Sequence, residues 1–277
     1  METFFTFLER RVDDCSSLLC VGLDPDTQDL KAQTPEAALE FCTGIIKQTA
    51  RYAAAFKPNA AFFEALGPQG WEALRTVIGA VGQESQRLGS RIPVILDAKR
   101  GDIASTAGAY ARSAFENLGV DAVTLSPYLG RDSIEPFLAY PERGVFLLCK
   151  TSNPGSTDLQ DMPVSLEGGV SEPLYLHVAR LAAGWNRRNN IGLVVGATFP
   201  AALRQVRERA PEMWFLAPGV GSQGGELETA LTAGLRKDGK GLLVNVSRSL
   251  ARAENPGRFA ADMRDQFLEF GRSSSGS

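Results

Sequence analysis

The sequence predicts a single-domain α/β protein, a (β/α)8 TIM barrel over residues 1–271. Three observations carry this expectation. Eight short apolar, β-branched runs alternate with helical stretches along the 277 residues, the pattern of parallel strands returned by helices. No Gly-x-Gly-x-x-Gly follows the first run, so the main signal of an open dinucleotide-binding sheet is missing. Several of the runs end in a charged side chain, as expected where strand ends converge on one face.

The elements follow in order. A short amphipathic helix is expected over 4–14, then a buried strand from Ser17 that ends in Asp24 before Pro25. Thr34-Pro35-Glu36 has the form of an N-cap with proline in the first turn and opens a helix to about Tyr52. The second strand carries Lys57, and a helix over about 70–88 leads to the third. That third run, Pro93-Val94-Ile95-Leu96, passes straight into Asp97-Ala98-Lys99-Arg100-Gly101-Asp102. Alternation with period two would place Asp97 and Lys99 on one side of the strand. Buried charge is costly unless paired, so an acid and a base here indicate either a reactive site or a structural ion pair closing the strand.

A helix over 104–118 and strands over 121–127 and 144–150 come next. Thr151 to Glu172 is rich in Ser, Asn, Pro and Gly, with little periodicity. Such a segment is expected to be a mobile active-site loop, with a plain surface insertion as the alternative. Then come helices over 173–188, 200–209, 225–235 and 256–270, with strands over 191–197, 213–217 and 241–246 between them. Residues 272–277 read as a disordered tail.

Composition narrows the function classes. Hydrophobic content of 44%, charged content of 22% and net charge −3 describe an ordinary globular protein, with no basic surplus for nucleic acid or anionic membrane. The first residues lack the form of a signal peptide and no uncharged run reaches a membrane span, so a cytoplasmic protein is expected. Cys15, Cys20, Cys42 and Cys149 show no CxxC spacing and read as reduced thiols rather than a metal site. His177 is the single histidine, which excludes histidine triads and multi-histidine metal sites.

In a barrel, Asp24, Lys57, Asp97 and Lys99 would open on one face. The seventh and eighth strand exits, Pro218-Gly219-Val220-Gly221-Ser222-Gln223-Gly224-Gly225 and Asn245-Val246-Ser247-Arg248, occupy the positions that commonly bind phosphate. Arg248 offers a planar fork to a phosphate dianion, with Gln223 as a second donor.

These motifs, together with Val21-Gly22-Leu23-Asp24, Phe56-Lys57-Pro58-Asn59, Asp97 to Ile103 and Thr151-Ser152-Asn153-Pro154-Gly155, resemble orotidine 5′-monophosphate decarboxylase, most closely its longer bacterial branch. The resemblance implies a homodimer that converts orotidine 5′-monophosphate to UMP and carbon dioxide without cofactor or metal, in the last step of de novo pyrimidine synthesis. It implies that Asp97 faces the departing carboxylate, that Lys99 donates the proton, and that Lys57 completes the charge array and, with Asp24, holds ribose hydroxyls. Asp102, Ile103 and Thr106 would reach the partner subunit's site. Ser152 would contact the pyrimidine, and Gln223, Arg248 and amides near Ser222 and Ser247 the phosphate. Ser247 stands where the family commonly has glycine. A magnesium-dependent sugar-phosphate decarboxylase or aldolase, and a catalytically silent nucleotide-binding barrel, are the competing readings.

Overall fold

The computed structural model describes residues 2–166, 168–220 and 224–274. Helix α1 (Phe4–Cys15) precedes β1 (Leu19–Leu23), α2 (Pro35–Thr49), β2 (Ala55–Pro58), α3 (Ala60–Glu64), α4 (Gly67–Leu88) and β3 (Ile95–Arg100). Then follow α5 (Ala104–Arg112), β4 (Ala122–Leu125), α6 (Glu135–Leu138), β5 (Gly144–Lys150), β6 (Pro163–Ser165), β7 (Ser171–Pro173) and α7 (Leu174–Trp185). The chain continues with β8 (Ile191–Val195), α8 (Pro200–Arg209), β9 (Phe215–Pro218), α9 (Gly224–Gly234), β10 (Leu242–Val246), α10 (Arg248–Ala251) and α11 (Pro256–Ser274).

Eight strands hydrogen-bond in the order β2-β1-β10-β9-β8-β5-β4-β3. Parallel bridges from Phe56 to Val94 and from Asn59 to Asp97 join the first strand of this order to the last. The sheet is that of a (β/α)8 barrel, and its eight strands are the eight read from the sequence. β1, β8 and β10 are buried along their whole length, as expected of strands covered by helices.

Contacts gather into two compact units, Met1–Phe5 with Lys99–Gly108 and Thr124–Val244, and Thr6–Ala98 with Ala109–Val123 and Asn245–Ser277. In the first, Phe5 lies edge-on to Phe4 and Phe146 at 5.1 and 5.6 Å and stacks on Trp214 at 6.5 Å. Gly144 makes room for this cluster, because a Cβ there would fall 2.3 Å from the Phe4 ring. In the second, β1 and β2 pair in register from Cys20 with Ala55 to Leu23 with Pro58. Thr34 caps α2 as its sequence predicts, its hydroxyl accepting the Ala37 N–H at 3.2 Å, a cap worth about 1 kcal/mol. Buried Arg11 donates to the Ala50 and Ala53 carbonyls at 2.7 and 3.0 Å, satisfying groups at the end of α2.

Three sequence readings change. The helix expected over 104–118 stops at Arg112 and passes into a π-turn at Ser113–Asn117, where the Leu118 N–H reaches the Ser113 carbonyl. The segment expected as a mobile loop is largely structured. It holds a 3-10 turn at Pro154–Asp158 and the β6–β7 hairpin, which short β-pairing provides without the long periodicity a sequence scan detects. Finally, α11 carries Arg272 to Ser274 as helix, and the remainder of the predicted tail lies outside the described residues.

Candidate active site

Lys57, on β2, and Asp97, on β3, form a salt bridge of 2.9 Å, with only 4% and 9% of the residues exposed. Burial alone would depress the Lys57 ammonium, but Asp97 and then Asp24 outweigh it and hold the group above its usual range. The side chain is therefore a fixed, buried cation. The Cys20 thiol beside this array is pushed up to about 12, chiefly by burial, and stays protonated.

Asp24, at the exit of β1, accepts the Ser247 hydroxyl at Oδ2 (2.6 Å), while its Oδ1 is buried with no hydrogen-bond partner among the described residues. The approach of Ser247 depends on Gly22, since a Cβ at that position would lie 2.6 Å from the Ser247 Cβ. Arg248, exposed, begins α10 immediately after β10. The Arg252 guanidinium grips the Asp29 carboxylate at 2.7 and 3.2 Å, tying the segment after α10 to the loop after β1. Asp24, Lys57, Asp97, Ser247 and Arg248 thus all belong to one compact unit.

The other predicted residues among those described, Lys99, Asp102, Ile103, Thr106 and Ser152, belong to the first unit. Lys99 has φ of +46°, outside the extended region, so period-two alternation does not govern its side chain and that argument from sequence fails at this position. Its N–H donates to the buried Thr124 hydroxyl at 2.9 Å, which holds the strained backbone. Asp102 accepts the Ile103 N–H at 2.8 Å, Ile103 is 53% exposed, and Thr106 is exposed near the start of α5. Ser152 packs against Gly196, where an added Cβ would meet its Cβ at 3.0 Å. Gln223 lies outside the described residues.

Sequence reasoning missed the residues flanking Ser152. Lys150, at the end of β5 and 3% exposed, donates to Asp161 at 2.7 Å and to the buried Ser156 hydroxyl at 3.2 Å. Its ammonium also lies 5.1 Å from the Phe199 ring centroid. The Thr151 N–H donates to the Gln160 side chain, which donates back to the Thr151 hydroxyl, each at 2.8 Å. The signal existed: Lys150 is a charge at a strand exit, like Asp24, Lys57 and Lys99. Among the described residues no group of three or more His, Cys, Asp or Glu side chains is arranged to hold a metal ion.

A (β/α)8 barrel with buried, paired charges on its strands is the framework of a barrel enzyme, in which strand ends and their loops carry the chemistry. Residues 17–263 match the family model described as orotidine 5′-phosphate decarboxylase / HUMPS family. The chain is 51% identical over 265 residues to orotidine 5′-phosphate decarboxylase of Roseiflexus castenholzii, covering 94% of this chain and 93% of that protein. It is 49% identical over 261 residues to the enzyme of the same name from Thermomicrobium roseum, covering 93% and 89%. The solved OMP decarboxylase of Leishmania donovani superposes with a TM-score of 0.85 at 51% identity, covering 97% of this chain and 98% of that one. This chain belongs to the orotidine 5′-phosphate decarboxylase / HUMPS family.

Proposed function

We propose that this chain decarboxylates orotidine 5′-monophosphate to UMP and carbon dioxide, as a step of pyrimidine nucleotide synthesis. The observation that carries the reading is the buried Lys57–Asp97 pair with Asp24 beside it, in a chain half identical to enzymes of that name. Breaking the bond between the ring carbon and its carboxylate leaves the electron pair on carbon. A nearby ammonium stabilises that charge and protonates it. Lys99, two positions beyond Asp97, is assigned this donor role; left neutral, it regains its proton from water. Asp97 faces the substrate carboxylate and disfavours the ground state. Asp24 and Lys57 take the ribose hydroxyls, Ser152 the pyrimidine, and Arg248, Gln223 and the Ser247 amide the phosphate. Binding energy from that remote phosphate lowers the barrier at the reacting carbon.

We assign the working form to a homodimer in which Asp102, Ile103 and Thr106 enter the partner subunit's site. Exposed Ile103, Tyr128 and Leu129, at 53%, 78% and 47%, support a surface that a second copy covers. No helix among the described residues is long and apolar enough to cross a membrane, and four free buried thiols support a cytoplasmic setting.

The test is the loss of pyrimidine absorbance when the purified protein meets orotidine 5′-monophosphate in excess chelator. Rapid loss that disappears in Lys99→Ala is the expected result. Turnover near wild type in Lys99→Ala would remove the assigned proton donor, and activity that chelator abolishes would favour a metal-dependent reaction.

A further inference from the structure

We propose that Ser247 is a positioning residue that divides the Asp24 carboxylate between protein and ligand. Its hydroxyl occupies Oδ2 and so presents Oδ1 to one hydroxyl of a bound pentose. The inference rests on the proposed nucleotide substrate and goes beyond it, because the resemblance gives position 247 only a backbone contact to phosphate.

Three observations converge. The Ser247 hydroxyl donates to Asp24 Oδ2 at 2.6 Å, a short, charge-assisted bond that fixes the rotation of the carboxylate. Asp24 Oδ1 is buried and has no hydrogen-bond partner among the described residues. Buried carboxylate oxygens are normally satisfied, so an oxygen left over beside a held one is an acceptor set aside for a donor that arrives from outside. Gly22 makes the arrangement possible, for a Cβ there would stand 2.6 Å from Ser247 Cβ and 2.9 Å from its Oγ. Position 22 and position 247 are therefore matched across β1 and the exit of β10.

The ligand group is a neutral hydroxyl donor. Lys57, the adjacent cation, already donates to Asp97 at 2.9 Å and raises the cost of a second cation in the same place. A sugar hydroxyl satisfies Oδ1 without adding charge.

The experiment is a cycle of binding measurements by calorimetry, with UMP, 2′-deoxy-UMP and 3′-deoxy-UMP, on wild type, Ser247→Ala and Ser247→Gly. The glycine variant restores the residue common in the family and relieves any backbone strain that alanine leaves. Both variants are expected to bind UMP about tenfold more weakly, the scale of one hydrogen bond to a charged group. For one deoxy nucleotide that penalty disappears, because its hydroxyl was the one Oδ1 accepted; a merely structural serine would weaken all three nucleotides alike. Equal losses for all three nucleotides, or no loss for UMP, overturn the assignment while leaving the function intact. Failure of the wild type to bind UMP overturns the functional reading and the assignment together.

Discussion

The Lys57 ammonium and the Asp97 carboxylate meet at 2.9 Å, from β2 and β3, with almost no access to water. An ion pair so placed is not a source of net stability, since desolvation consumes most of the Coulombic gain, but breaking it strands a charge. Lys57→Met should destabilise the fold by about 3–5 kcal/mol in urea unfolding. Lys57→Met with Asp97→Asn should recover most of that loss and no turnover. Recovery of turnover in the double variant would reduce the pair to a strand closure.

Thr124 holds Lys99 through the backbone. A non-glycine residue at positive φ costs about 1–2 kcal/mol, and the Thr124 hydroxyl is the acceptor that offsets it. Thr124→Val, nearly isosteric, should cost about 1–3 kcal/mol of stability and lower kcat while leaving KM little changed. Thr124→Ser should restore both. A valine variant with unaltered kcat would show that the backbone at Lys99 is set by other contacts.

At the end of β5 the two partners of one ion pair should respond unequally. Lys150→Met puts an apolar chain near the Tyr175 and Phe199 rings and should cost less than about 1.5 kcal/mol. Asp161→Asn leaves the buried ammonium without its carboxylate and should cost about 2–3 kcal/mol, tempered by the 42% exposure of the Asp161 side chain. Limited proteolysis within 151–172 should accelerate in the asparagine variant first. The reverse order would mean that the segment is held by its hairpin alone.

Stability should fall in alkaline solution. Burial holds Cys15 at about 11 and Cys20 and Cys149 at about 12, against 9.0 in the open chain. Above that value the unfolded chain binds fewer protons than the fold, so unfolding is favoured by up to about 1.4 kcal/mol per pH unit for each thiol. Lys57, also raised in the fold, adds a loss of the same sign only above its ordinary 10.5. Urea midpoints should decline from about pH 9 upward, and Cys20→Ala should flatten the decline. A midpoint constant from about pH 8 to about pH 10.5 would contradict the burial of these thiols.

The eight barrel strands and the helices between them were legible because burial on both faces writes itself as apolar, β-branched runs, and because the Thr34 cap with Pro35 behind it is a local signal. The short α3, α6 and α10, the π-turn after α5 and the β6–β7 hairpin were not legible, since each is shorter than the window in which periodicity can be seen. Lys150 ends a legible strand, but its partners Ser156 and Asp161 lie in the aperiodic segment that follows, so their pairing leaves no pattern in the sequence.

By itself the sequence determined the alternation of strand and helix, the thiols as reduced and unbridged, and the kinds of charge carried at the strand exits, because each depends on residues adjacent in the chain. The tertiary structure alone decided that Lys57 pairs with Asp97, that the Ser247 hydroxyl engages Asp24, and that Lys99 leaves the extended conformation. Those outcomes depend on distances between residues 25, 40 or 223 positions apart, and on which buried oxygen finds a donor. Only packing sets such distances.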